Sequence, residues 1–198
     1  MAGNRARCLM PDADVVIHLF KAGLWPAVSA AYQIVLPSIV YGEARFFFDD
    51  SGACLPIDLE AEIAAGGVEV LEGSPENLAS LQQCFDSVFL EGLHDGEQEA
   101  LGLVHSGRFA DGWFCSGDRK AQVATVALGH EAMVVSLEQA LGRIGRSLTQ
   151  YLRQWRHLTA NGVRDSISEG QRMRLTGEGM TSALLDRRGQ GRSRRRRG

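Results

Sequence analysis

The stretch Met10-Pro11-Asp12-Ala13-Asp14-Val15-Val16-Ile17-His18-Leu19 sets the frame for the whole chain. An apolar run meets an Asp-Ala-Asp interruption and then resumes as apolar residues. That interruption predicts a strand ending at Asp12 and a helix opening just after it. Asp is a good helix N-cap, because its short carboxylate accepts the free N–H groups of the first turn. The same geometry puts Asp12 at the carboxyl edge of a strand, where open α/β sheets bind ligands. Taken alone, Asp12 or Asp14 is as well explained as a cap. The balance changes once further acidic residues recur in matching contexts.

Outward from this stretch, strand-like and helix-like segments alternate. Residues 15–22 suit a short helix broken by Gly23 and Pro26. Tyr32-Gln33-Ile34-Val35-Leu36 is β-like, and Pro37-Ser38 opens a helix expected to carry Ile39, Val40, Glu43, Ala44, Phe46 and Phe47. Asp49-Asp50-Ser51-Gly52 is a loop, 57–65 a helix, Val68–Leu71 a strand, and 74–89 another helix. After a loop at 92–96 come a helix over 97–106, a strand at Gly112–Cys115, a helix over 119–128 capped by Asp118, and a last strand at 133–135. Short apolar strands alternating with helices predict an α/β fold: a three-layer α/β/α sandwich around a central parallel sheet. Beyond Ser136, Leu137, Leu141, Ile144, Leu148, Tyr151, Trp155 and Leu158 recur at three- and four-residue steps, the stripe of an amphipathic helix. That stripe packs either on its own domain or in a partner's groove. The division expected is a domain over 7–138, a helical extension over 139–176 and a basic, disordered tail over 177–198.

Composition narrows the function classes. The 198 residues are 44% apolar and 23% charged, ordinary for a globular chain. No apolar run reaches the ~20 residues of a membrane span. No cleavable signal pattern is visible, because Asp12 and Asp14 interrupt the first apolar run. Cys8, Cys54, Cys84 and Cys115 form no Cys-x-x-Cys, which points to reduced, buried thiols and a cytoplasmic setting. The net charge of −3 hides an asymmetry: residues 1–142 hold 7 Lys/Arg against 20 Asp/Glu, and residues 143–198 hold 14 Arg against 4 Asp/Glu. An acidic body with a basic end suggests contact with nucleic acid.

Asp12, Glu43, Glu97, Glu99 and Asp118 fall at strand ends or on early helix turns, so a parallel sheet would gather them on one edge. Close carboxylates repel by a few kcal/mol in partly buried surroundings, and a cation would keep them ionised. Oxygen ligands without His or Cys suit Mg²⁺ or Mn²⁺.

These residues resemble the PIN domain, the Mg²⁺/Mn²⁺-dependent nuclease fold of many bacterial toxin ribonucleases. Asp12-Ala13-Asp14-Val15-Val16-Ile17 is similar to its opening motif, and Pro37-Ser38-Ile39-Val40-Tyr41-Gly42-Glu43 to its second. Gly96-Glu97-Gln98-Glu99-Ala100-Leu101 and Ser116-Gly117-Asp118-Arg119-Lys120-Ala121 resemble the third and fourth. The resemblance spans about 7–138, in the family's order and spacing. It departs at Asp14, where the family usually has Asn, Ser or Thr, and in the long basic C-terminus, which is atypical of the short toxins. It implies an RNA-cleaving hydrolase of the VapC-like toxin type, with Asp12, Glu43, Glu99 and Asp118 as catalytic residues. These four and Glu97 would be the metal ligands, and Glu99 is favoured over Glu97 by its Ala-Leu context. Ser116, Arg119, Lys120 and Arg45 are candidate substrate contacts, Ser116 as a hydrogen-bond donor to a phosphate or to a ligand carboxylate and the three cations to the RNA backbone. An antitoxin protein and a homodimer are the protein partners implied. Two other readings stay open: a catalytically silent PIN-like binding module, and a phosphatase resembling the haloacid dehalogenases that uses Asp12 and Asp14.

Overall fold

The computed structural model describes residues 7–181. The strands are β1 (Cys8–Pro11), β2 (Gln33–Pro37), β3 (Phe46–Phe48), β4 (Cys54–Pro56), β5 (Val68–Leu71) and β6 (Gly112–Cys115). The helices are α1 (Ala13–Lys21), α2 (Trp25–Ala31), α3 (Ser38–Glu43), α4 (Leu59–Ala64), α5 (Pro75–Gln82), α6 (Ser87–Leu90), α7 (Asp95–His105), α8 (Arg119–Ala127), α9 (Leu137–Arg143), α10 (Gln150–Arg153) and α11 (Ala160–Thr176). Single 3₁₀ turns cover Glu131–Met133 and Arg156–Leu158.

Four strands make one parallel sheet in the order β5-β2-β1-β6. Strand alternation sends successive residues to opposite faces. Leu9, Ile34, Leu36, Trp113 and Cys115 pack with α1, α2 and α9 on one side. Met10, Val35 and Phe114 pack with α7 and α8 on the other. The result is a central parallel sheet covered by helices on both faces, compatible with a three-layer sandwich. From β1 the chain builds outward through β2 to β5, then returns to place β6 on the other side of β1. The switch point of the sheet therefore lies between β1 and β6, and the carboxyl ends of strands at such a point are where open α/β sheets place ligands.

Several elements differ from the sequence expectation. The helix after Pro37 stops at Glu43, and Phe46 and Phe47 belong to an antiparallel β3–β4 hairpin. Its turn is held by the Asp49 carboxylate, which accepts from Ser51 N, Ser51 Oγ and Ala53 N. The helix expected over 74–89 is two, because Phe85 pairs with Met180 and Asp86 caps a fresh turn at Phe89 N. The last strand shrinks to one bridge, Phe114 with Val134. The stripe beyond Ser136 is not one helix: Gly145 takes a φ of +69° and Thr149 starts a new cap. The stripe nonetheless packs at home, since Leu137, Leu141, Leu148 and Leu158 are buried in the core with β1 and β2. The long C-terminal helix is α11, which lies on α8 so closely that a Cβ at Gly170 would come 2.6 Å from Val126 Cβ. Of the cysteines, Cys54 is exposed and Cys8 half-buried, against the expectation of buried thiols, and none of the four forms a disulfide. A tail starting at Gly177 begins too early, because Gly179 O accepts from Asp86 N and Thr181 N donates to Cys84 O. The Arg194–Arg197 run lies outside the described residues. Among the described residues, no helix is long and apolar enough to cross a membrane.

Candidate active site at the switch point

Asp12 follows β1 directly and is buried. Its Oδ1 accepts from Val15 N at 2.7 Å, so it does cap α1. Its Oδ2 accepts from Ser116 Oγ and Gly117 N, both at 2.6 Å, which ties the end of β1 to the loop after β6. One carboxylate thus serves as helix cap and as cross-strand anchor. Burial raises its pKa to about 6 against these three hydrogen bonds, and the Asp14 charge adds to the rise.

Asp118 ends the same loop. Its Oδ1 accepts from Ala121 N at 2.7 Å and caps α8. Ser116 Oγ, which donates to Asp12, accepts from Asp118 N at 2.9 Å. The hydroxyl therefore couples the two acidic residues, and Ser116 is 1% exposed. Its bond to the Asp12 carboxylate is one of the two roles expected from sequence, and it makes Ser116 a positioning group.

Glu97 is the third acidic member. It sits on the first turn of α7, where its Oε2 accepts from His94 N at 2.8 Å. Burial, with the charges of Asp118 and Asp12, raises its pKa to about 7. Glu43, the last residue of α3, is exposed and meets the same turn: a Cβ at Gly96 would lie 3.1 Å from Glu43 Oε2. Glycine at 96 thus lets α3 bring this carboxylate against the start of α7.

Glu99 is placed elsewhere, which corrects the choice made on its Ala-Leu context. Its Oε1 accepts from Ser38 Oγ and Gly73 N, each at 2.7 Å, and its Oε2 from Ile39 N at 2.8 Å. It clasps the start of α3 to the loop after β5. Glu97 and Glu99 are two residues apart, about 200° around a helix, so both cannot face one cleft. The three candidate cations are engaged as well. Arg119 pairs with Glu169 of α11, Arg45 pairs with Glu60 at 3.8 Å, and Lys120 Nζ lies 4.7 Å from the Phe89 ring centroid.

Sequence reasoning missed what the C-terminal segment contributes. Gln122 Nε2 donates to Ser116 O at 2.6 Å and to His157 O at 3.1 Å. The His157 ring meets Gly117 O through Nδ1 at 3.2 Å. The only hint was that Gln122 stands one helical turn after Asp118.

The donor chemistry, oxygen only, fits Mg²⁺ or Mn²⁺. Among the described residues, however, no three His, Cys, Asp or Glu side chains are gathered closely enough to enclose an ion. No family model, no curated protein and no solved structure matches the chain.

Proposed function

We propose that the chain is a metal-dependent ribonuclease of PIN type, with Asp12, Glu97 and Asp118 as its central acidic residues and Glu43 at the rim. The observation that carries this reading is the meeting of Asp12 and Asp118 at the switch point between β1 and β6, within the electrostatic range of Glu97. Holding ionised like charges together costs stability, and a bound cation would offset that cost when Asp12 and Glu97 are deprotonated. Mg²⁺ or Mn²⁺ bound there supplies a water of lowered pKa and neutralises charge on a phosphodiester. Asp12 and Asp118 would hold it, with Glu97 ligating directly or through water. Ser116 and Gly117 fix the Asp12 carboxylate, and Gln122 fixes the loop that carries them. Glu99 keeps α3 seated, and so holds Glu43 against α7.

The experiment is a divalent-metal titration with RNA, run beside a generic phosphoester. Metal-dependent RNA cleavage lost in Asp12→Asn and Glu97→Gln supports the reading. Phosphoester turnover without RNA cleavage favours the phosphatase alternative. RNA binding without cleavage in any divalent metal favours a silent binding module. In the toxin role, expressing the wild-type chain arrests growth and expressing Asp12→Asn does not.

A further inference from the structure

We infer that the segment 150–158 carries a base-stacking platform, Trp155 set against His18, that receives an unpaired base of single-stranded RNA beside the acidic edge. The inference rests on the RNA-cleaving reading above.

Trp155 breaks the pattern of its own stripe. Leu148, Leu152 and Leu158 are at most 4% exposed, whereas Trp155 is 47% exposed. Its ring centroid lies 4.6 Å from that of His18 at an interplanar angle of 54°. His18 is itself braced by Tyr151, whose hydroxyl is 3.1 Å from His18 Nδ1. A large ring supported on one side and open over nearly half its surface has the form of a stacking site.

The surroundings select the occupant. A protein-docking patch is a contiguous apolar area. Trp155 instead stands among exposed Arg153, Gln154 and Arg156, in the half of the chain where Arg outnumbers acid. Arg156 pairs with Asp165. An aromatic face flanked by cations suits a base with its phosphate.

The platform is also joined to the acidic loop. His157 and Leu158 follow Trp155 directly; His157 meets Gly117 O, and Gln122 bridges His157 O to Ser116 O. On the other side, His18 lies one turn along α1 from Asp14, whose charge acts on both His18 and Asp12.

The test uses the full chain in EDTA, titrated with a short single-stranded RNA of mixed sequence and followed by tryptophan fluorescence. Trp25 and Trp113 are 1% and 7% exposed, so a change on binding reports chiefly on Trp155. Saturable quenching is expected, absent with the same sequence as a duplex. Trp155→Ala should weaken binding about 5- to 150-fold with an unchanged melting temperature, and Trp155→Phe should retain most of the affinity. An absence of RNA binding, or equal affinity in Trp155→Ala, overturns the platform. So does a change of oligomeric state in Trp155→Ala without an effect on RNA, which would make the ring a contact between copies. If the wild-type chain cleaves RNA while Trp155→Ala binds normally, the platform fails and the nuclease reading stands. If Trp155→Ala weakens RNA binding but no divalent metal gives cleavage, the nuclease reading fails and the platform stands.

Discussion

Asp12→Asn in the metal-free protein should reverse its effect on stability between acid and alkaline pH. Burial lifts the Asp12 pKa from its ordinary 3.8 to about 6. The folded chain therefore prefers the protonated carboxyl. The stability contributed by that preference is whole below about pH 4 and is lost as pH rises through about 6. Ionised Asp12 then costs the fold about 3 kcal/mol relative to acid conditions. Asparagine cannot ionise and escapes this cost. It keeps an oxygen for Val15 N, but its amide group would face Gly117 N, which has donated to Asp12 Oδ2. A buried donor left without an acceptor costs about 1–3 kcal/mol. The variant should thus be less stable than wild type by about 1–3 kcal/mol at pH 4, and equal or more stable by up to about 2 kcal/mol at pH 8. Urea unfolding in EDTA at pH steps from 4 to 8 measures this. The difference between the two proteins is the readout, since it cancels groups that titrate alike in both. A constant difference across that range would refute the buried, proton-preferring Asp12.

Glu97→Gln should abolish metal-dependent cleavage while leaving stability at pH 8 equal or higher, whereas Glu99→Ala should cost about 2–3 kcal/mol through its three lost hydrogen bonds and leave the folded fraction active; urea curves and RNA cleavage separate the two. Mn²⁺ held at a hundred times its pH 8 dissociation constant should stabilise the wild type by about 2.7 kcal/mol at pH 8 and by less at pH 5, because Asp12 and Glu97 must lose protons to bind it; a melting series with and without metal checks this. Gly170→Val should cost about 1–3 kcal/mol, since even a Cβ there would meet Val126 Cβ at 2.6 Å and Val123 O at 2.7 Å; a thermal melt equal to wild type would mean that α11 does not press on α8. Ending the chain at Glu178 should lower the melting temperature by removing the bonds of Gly179 and Thr181 to Asp86 and Cys84, whereas ending it at Thr181 keeps them.

Local chemistry determined much of this protein. The break at Asp12-Ala13-Asp14 marked where β1 ends and α1 begins, because a short carboxylate before an apolar run caps a helix wherever it occurs. Asp118 before α8 follows the same rule, and both caps are present. The alternation of short apolar runs with helical periods likewise carried the parallel sheet. Decisions made across the chain were not legible. No local pattern orders the strands β5-β2-β1-β6, yet that order puts Asp12 beside Asp118. The Ala-Leu context favoured Glu99 over Glu97, and only the position of Ser38 and Gly73 in space draws Glu99 away. Phe46 and Phe47 suit a helix face or a strand, and the Asp49 turn with β4 settled the strand. The stripe of 137–158 showed that apolar residues recur but not that Gly145 breaks their helix or that Trp155 stays open. Caps and periodicity act over a few residues, within reach of sequence. Convergence of carboxylates and exposure of a ring depend on which distant segments pack together, and that is fixed by the whole core at once.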